Sequence, residues 1–466
     1  MLSDAVLKEL RAVVGADNLL TDEVSRACYA YDATNRPQLP DAVVRAGTSE
    51  QVSRVLILAN AYGFPVYPRG AGTGYTGGSV PADGGVALSL ETMDRILDID
   101  EGNLTATVQA GVVTSDLHAA VEERGLFYPP DPASMASCTI GGNIAENAGG
   151  PRCVKYGVTR EYVMQLEVVL PTGEITRVGA KTRKSVAGYD LTRLIVGSEG
   201  TLGVVTEATL RLLPLPACRR TALALFPSMD NAAAAVSTII RHRVVPTTLE
   251  FMDRTSIDSV REHAGLSLPD DVGALLIIEV DGDEASVRAQ MKSVTDLVSG
   301  ECGALSVTVA STEAEREKLW LARRSISAAL MSISPTKINE DIVVPINRIP
   351  DMVRRVQEIA AEHNVPIVTF GHAGDGNLHV NVMVDKRDEA AMERGHAAVV
   401  DVFRATLEMG GSVSGEHGIG LAKRDFLPWE TGPVAMDVMV RVKNAFDPNG
   451  VLNPGKVVTV HDTLAA

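Results

Sequence analysis

The chain has 466 residues, 45% hydrophobic and 22% charged, with a net charge of −16. That length implies two or three domains with ample core, and the negative charge argues against unassisted binding to nucleic acid or an anionic membrane. The five cysteines (Cys28, Cys138, Cys153, Cys218 and Cys302) are scattered without a CxxC, so neither a disulfide framework nor an iron–sulfur cluster is expected.

The opening MLSDAVLKELRAVVG reads as an amphipathic helix of mixed charge rather than a secretory signal. No apolar run reaches the length of a membrane span, and a cytoplasmic location is expected. A short strand is predicted at Asp41–Ala46. A helix follows over Ser49–Tyr62, with Ser49 as N-cap and Val52, Val55, Leu56 and Ala59 as its apolar stripe. The strand Pro65-Val66-Tyr67-Pro68 then leads into the glycine run Arg69 to Ser79.

Gly72 to Gly77 literally matches GxGxxG, but Gly78, Ser79 and Pro81 prevent a helix from opening on the last glycine. A Rossmann dinucleotide site needs that helix, so it is rejected. What survives is a loop whose N–H groups can approach an anion closely because side chains are absent; a pyrophosphate fits.

Strands are predicted near Val86–Leu90 and Leu104–Gln109, and a helix over Thr114–Arg124. Pro129 to Gly150 is small, apolar and rich in hydroxyls and glycine, suited to lying flat against a planar ring. A hairpin is expected over Leu166–Leu170 and Ile175–Val178, and a strand over Val204–Leu213. From about Pro214, helices alternate with strands. The pattern predicts an α+β domain with an antiparallel sheet and helices on one side.

Within that part, Thr369 to Val384 (TFGHAGDGNLHVNVMV) places two strand-like runs around Asp375-Gly376. A type I′ turn there would set His372 opposite His379, with Cβ atoms roughly 5 Å apart. Alternation puts Asn381 and Met383 on the face of His379, and Leu378, Val380, Val382 and Val384 on the other. Two imidazoles so held can bind one metal ion. Glu416 of Gly415-Glu416-His417-Gly418 can supply a third ligand, or be an ordinary salt-bridge partner.

Six motifs in order, PRGAGTGYTGG, SCTIGGNIAENAGG, GSEGTLGVVTE, GHAGDGNLHVN, GEHGIGLAK and LNPGK, resemble those of the FAD-linked oxidases of the vanillyl-alcohol oxidase type. The nearest branch is the D-2-hydroxyacid dehydrogenases: glycolate oxidase flavoprotein subunits, D-lactate dehydrogenases and D-2-hydroxyglutarate dehydrogenases. The likeness runs from about Ala33 to Val458. It implies a two-part FAD-binding domain over 1–215, a cap over 216–410 and a segment, 411–466, returning to the FAD domain.

By the same resemblance, Pro68, Arg69, Gly70, Ala71, Gly72, Thr73 and Gly74 would cradle the FAD pyrophosphate. Ser137, Gly141, Gly142 and Asn147 would lie along the flavin, Glu199 and Val204 on the adenosine side or nearby, and Asn453 by the isoalloxazine. Covalent members place a His near Thr73; none is present here, so noncovalent FAD is expected. His372, His379 and Glu416 would hold a divalent metal (zinc, iron or manganese) that chelates the substrate's hydroxyl and carboxylate. His417 would act as base, with hydride passing to flavin N5. Arg323 and Lys337 would bind the substrate carboxylate, and Asn381 substrate or water. Ser327 stands where the 2-hydroxyglutarate enzymes carry Thr, which leaves the substrate's tail open.

The implied reaction is oxidation of D-lactate or glycolate first, D-2-hydroxyglutarate second, to the 2-oxo acid. Electrons would leave to an electron-transfer flavoprotein, an iron–sulfur subunit or a quinone, and a homodimer is one open assembly. Two other readings stand beside it: an oxidase of another substrate class on the same scaffold, and a noncatalytic or partner-dependent flavoprotein subunit.

Overall fold

Parallel pairing arises where the sequence runs strand, helix, strand. Ala42–Arg45 and Val66–Arg69 flank Val86–Ser89 in one four-stranded sheet, with Leu19–Leu20 on its outer edge. These are features of a computed structural model, which describes residues 1–34, 36–264 and 268–458. The intervening helix spans Ser49–Tyr62, and its cap is Thr48 rather than Ser49. Thr48 keeps extended backbone and its hydroxyl accepts from the Gln51 N–H. Ser49 is already helical, and its hydroxyl bonds Glu167 instead, at 2.6 Å. Gly63, at φ 71°, ends the helix in the left-handed conformation.

The chain forms two units by internal contacts. The first comprises 1–149, 158–215 and 416–466; the second comprises 150–157 and 216–415. Residues 459–466 of the expected C-terminal segment lie outside the described residues. Besides the parallel sheet, the first unit holds a five-stranded antiparallel sheet. Its order is Ile96–Asp100, Thr105–Gln109, Val204–Arg211, Val163–Val169, Ile175–Gly179. The core runs from Leu10 and Val14 through Val52, Leu56 and Leu88 to Val451 and Leu452. The late segment joins it because Val66 N–H donates to Val451 O and Asn453 N–H to Val66 O, each at 2.8 Å.

The second unit is built on a seven-stranded antiparallel sheet ordered Ser306–Val309, Cys218–Phe226, Ala274–Gly282, Thr248–Asp253, Ile367–His372, Asn377–Val384, Thr336–Val343. Helices cover both faces, not one. Arg254–Ala264 and Glu313–Ala329 pack with Met252, Leu275, Ile277 and Phe370 on one side. On the other, Val287 and Met291 of Glu284–Gly300 pack with Ala222 and Val280, and Gly395 of Glu389–Glu408 lies against Ile338, Val382 and Val384. The cause is visible in Ala274–Gly282, ALLIIEVDG, whose near-continuous apolar run suits a strand buried on both sides. Segment 150–157 is tied to this sheet by Lys155 and Tyr156, both bonded to buried Asp281.

Candidate functional site

The two histidines lie on the sheet face that the Glu313–Ala329 helix covers. Their register differs from the expected one. His372 pairs with Asn377, and His379 with Phe370. A type I′ turn requires positive φ at both central residues, yet only Gly376 has it (φ 89°); the connection is a longer turn over residues 373–376. His372 and His379 are therefore diagonal neighbours on one face. Their Nε2 atoms stand 3.4 Å apart, and both rings are buried. Asn381 follows on the same face, where its amide oxygen accepts from Asn339 at 2.9 Å.

Glu250 completes the group, a residue that no motif in the sequence marks. It is opposite His372 in the ladder and fully buried. Its Oε1 lies 2.5 Å from His372 Nδ1 and its Oε2 2.6 Å from Arg323 Nε. Burial pushes this carboxyl up, but the adjacent His372 and Arg323 outweigh it and hold it below the ordinary range. The available signal was the alternation of Leu249 and Phe251 around it, which marks a strand. Arg323 also lies over the Phe370 ring, 4.8 Å from its centroid. Its terminal nitrogens make no further hydrogen bond among the described residues.

Lys337 donates to the Ser327 hydroxyl, and burial lowers its pKa. Asp341, opposite His379, is another residue the sequence did not mark. Buried, it accepts from Asn377 Nδ2 at 3.2 Å and from the Gly415 N–H at 2.7 Å. It thus fixes the end of the second unit; Glu416 is the next residue along the chain and begins the last segment of the first. A separate group, Glu362, His363 and Asp401, is more exposed and paired with Arg355 and Arg404, as an ordinary surface network is.

In the first unit the glycine run forms a loop, with no helix opening on Gly77; the next element is Val86–Ser89. Pro68 and Arg69 end a strand. The Arg69 side chain turns inward to Tyr31 O, 2.7 Å away, and to the Ser79 hydroxyl. Gly74 O accepts from Ala33 N–H, and Ala71 and Thr73 lie in the open part of the loop. A Cβ on Gly70 would stand 2.3 Å from Thr139 Oγ1, so this loop packs closely on the second glycine-rich segment. There Thr139 caps the helix Ile140–Glu146 by accepting from Gly142 N–H, and Gly141 packs on Ala110. Ser137 donates to Ser134 O just ahead of it. Asn147 ends the helix at φ 55°, its side chain accepting from Arg160 N–H. Val204 is buried at a strand start.

Glu199 accepts from the Ile419 and Gly420 N–H groups, each at 2.7 Å, and so clamps the segment after His417. Burial pushes its pKa up to about 7 against those N–H groups and the Lys423 and Lys456 charges. Glu146 lies beside it, its carboxyl held well above the ordinary range by burial first and then by the charges of Glu199 and Asp32. A Cβ on Gly418 would meet both carboxyls, which explains a glycine at φ 83° there. Asn453 Nδ2 bonds Glu199 O and Gly78 O at 2.7 and 3.0 Å; its buried Oδ1 has no hydrogen-bond partner among the described residues.

Comparison with known families finds two matches, to the FAD linked oxidases, C-terminal domain, over residues 215–457, and to an FAD binding domain over 40–179. Glycolate oxidase subunit GlcD of Bacillus subtilis is 46% identical over 458 residues, covering 98% of this chain and 97% of its own. A D-lactate dehydrogenase of Anaerostipes hadrus is 39% identical, covering 90% and 89%. D-2-hydroxyglutarate dehydrogenase of Stutzerimonas stutzeri is 35% identical, covering 98% and 99%. Among solved structures, p-cresol methylhydroxylase superposes with a TM-score of 0.82 at 19% identity over 98% of this chain and 97% of that one, a likeness of fold.

Proposed function

The chain belongs to the FAD-linked oxidases, in their D-2-hydroxyacid dehydrogenase branch, and from that premise we propose that it oxidises a small D-2-hydroxy acid to the 2-oxo acid with the help of a divalent metal. The residues of the first unit suit FAD. Two glycine-rich segments meet at Gly70 and Thr139, where a larger side chain has no room, and Asn453 offers a buried amide oxygen to a ring N–H donor. Bound FAD supplies the hydride acceptor.

The observation that carries the metal reading is the approach of His372 and His379 Nε2 atoms on one buried face, with Arg323 anchored beside them. Two imidazoles and a carboxylate form a common set for zinc, iron or manganese. Glu416, which the resemblance to the D-2-hydroxyacid dehydrogenases assigns to the metal, is our third ligand. A metal there would supply Lewis acidity toward the hydroxyl oxygen.

The chain's own groups would then divide the work. Arg323 presents its terminal nitrogens to the substrate carboxylate, with its Nε edge already taken by Glu250. Lys337, held by Ser327, adds a second cation, and Asn381 holds substrate or water. His417 takes the hydroxyl proton, positioned by Tyr75 and by the Glu199 clamp. Electrons pass to a separate acceptor: an electron-transfer flavoprotein, an iron–sulfur subunit or a quinone. That relatives are named as subunits supports a partner protein.

The test is anaerobic addition of D-lactate, glycolate and D-2-hydroxyglutarate, with L-isomers where they exist, to the purified flavoprotein. Bleaching of the flavin band by a D-acid or glycolate, and not by the L-isomers, is expected. Full retention of the band with all of them would overturn the reading.

A further inference from the structure

We propose that Glu250 is the positioning residue that aims both His372 and Arg323, coupling metal affinity to substrate affinity through one buried carboxylate. This rests on the functional reading above and adds to it a residue outside the ligand and substrate sets.

An ionised carboxylate only accepts hydrogen bonds. Glu250 divides its two oxygens between His372 Nδ1 at 2.5 Å and Arg323 Nε at 2.6 Å. Both partners must therefore donate. For neutral His372 this assigns the proton to Nδ1 and leaves the electron pair on Nε2, the nitrogen 3.4 Å from His379 Nε2. A carboxylate behind a ligating imidazole fixes its tautomer and raises its basicity, and losing such a partner typically costs about 10- to 100-fold in metal affinity.

The same carboxylate fixes the guanidinium. Arg323 belongs to the helix Glu313–Ala329, whereas His372 ends the strand Ile367–His372. Glu250, on the neighbouring strand Thr248–Asp253, bonds both directly. With Nε held by Glu250 and the guanidinium resting over Phe370, the terminal nitrogens have one orientation. Burial makes the arrangement rigid, since Glu250 is fully enclosed.

Histidine ¹⁵N NMR on the wild-type protein tests the first half without any substitution. A His372 resonance pattern with the proton on Nδ1 supports the proposal; a proton on Nε2 overturns it. The variant Glu250→Gln, checked for native flavin content and circular dichroism, tests the second half. Mn²⁺ titrated into the chelator-stripped variant should bind about 10- to 100-fold more weakly than to wild type. KM for the acid should rise as well. Glu250→Asp, which keeps the charge, should recover part of both. Metal affinity and KM within twofold of wild type in Glu250→Gln would overturn the coupling. Should wild type bind no divalent ion, the functional reading fails on its own, while the tautomer still decides the role of Glu250.

Discussion

The rings of Tyr75 and His417 stack, with centroids 4.9 Å apart and planes inclined by 26°. Tyr75 comes from the glycine loop and His417 from a segment more than three hundred residues later, so the stack fixes the imidazole from outside its own loop. Such a contact contributes about 0.5–1.5 kcal/mol. Tyr75→Ala should therefore slow substrate-driven flavin reduction about two- to tenfold, and Tyr75→Phe should leave it nearly unchanged. Rapid-mixing absorbance of the two variants decides; equal rates would remove the stack from the account.

His417 itself should be indispensable to the chemistry and dispensable to the cofactor. In His417→Asn the flavin spectrum and the FAD content should match wild type, while reduction by the preferred acid falls at least about a hundredfold, the scale of a lost general base. Full-rate reduction in the variant would reassign the proton to another group.

The Glu146–Glu199 pair predicts how stability varies with pH. Both carboxyls are raised in the fold, Glu199 to about 7 and Glu146 well above the ordinary range. The unfolded chain releases these protons near pH 4.3 or so (about the reference value for Glu), whereas the fold retains them. The stabilising contribution of each is full below that pH; that of Glu199 is lost as pH rises through about 7, and that of Glu146 as pH rises through its own raised pKa. Glu146→Gln places a permanently neutral group beside Glu199. Its Tm should fall less than that of wild type between about pH 5 and 8. Parallel Tm profiles would show that the pair does not hold the extra proton.

How much of this was legible depended on the range of the interaction. The strands Ile367–His372 and Asn377–Val384 were readable because apolar alternation is local, and the two histidines stood out as polar breaks in it. Their register was not readable. Asp375-Gly376 signals a tight turn, but Asp375 keeps negative φ, and Asn377 is drawn to Asp341 and Ile342 O on the next strand. Glu250 was invisible for a related reason. A carboxylate on a strand reads as a solvent-facing residue until its partners are known, and these lie 73 and 122 residues away. The second layer of helices did leave a local trace, in the continuous apolar run of Ala274–Gly282.

A buried ion pair anchors the late segment of the first unit. Lys443 Nζ donates to Asp447 Oδ2 at 2.6 Å and to Thr201 O and Leu452 O at 2.8 Å each. Asp447 in turn accepts from the Val451 and Leu452 N–H groups. Removing one partner of such a pair leaves the other charge buried, typically costing about 3–5 kcal/mol. Asp447→Ala should lose about that much in denaturant unfolding of the flavoprotein, and should release FAD at a lower denaturant concentration. A cost under about 1 kcal/mol would mean that water reaches Lys443 and replaces the carboxylate.

Chelation tests the proposed metal separately from the flavin. The candidate ligands His372 and His379 belong to the second unit, and the glycine-rich segments around Gly70 and Gly141 to the first. Prolonged treatment with a strong chelator should therefore leave the flavin spectrum intact while slowing reduction by the hydroxy acid at least about tenfold, a modest share of what a Lewis acid contributes. Adding back Zn²⁺ or Mn²⁺ should restore the rate. His372→Ala and His379→Ala should reproduce the chelated rate and lose the response to added metal. If chelated protein is reduced at the untreated rate and metal analysis confirms that it holds none, the paired imidazoles act on the substrate directly. His379→Ala would then raise KM without any dependence on metal.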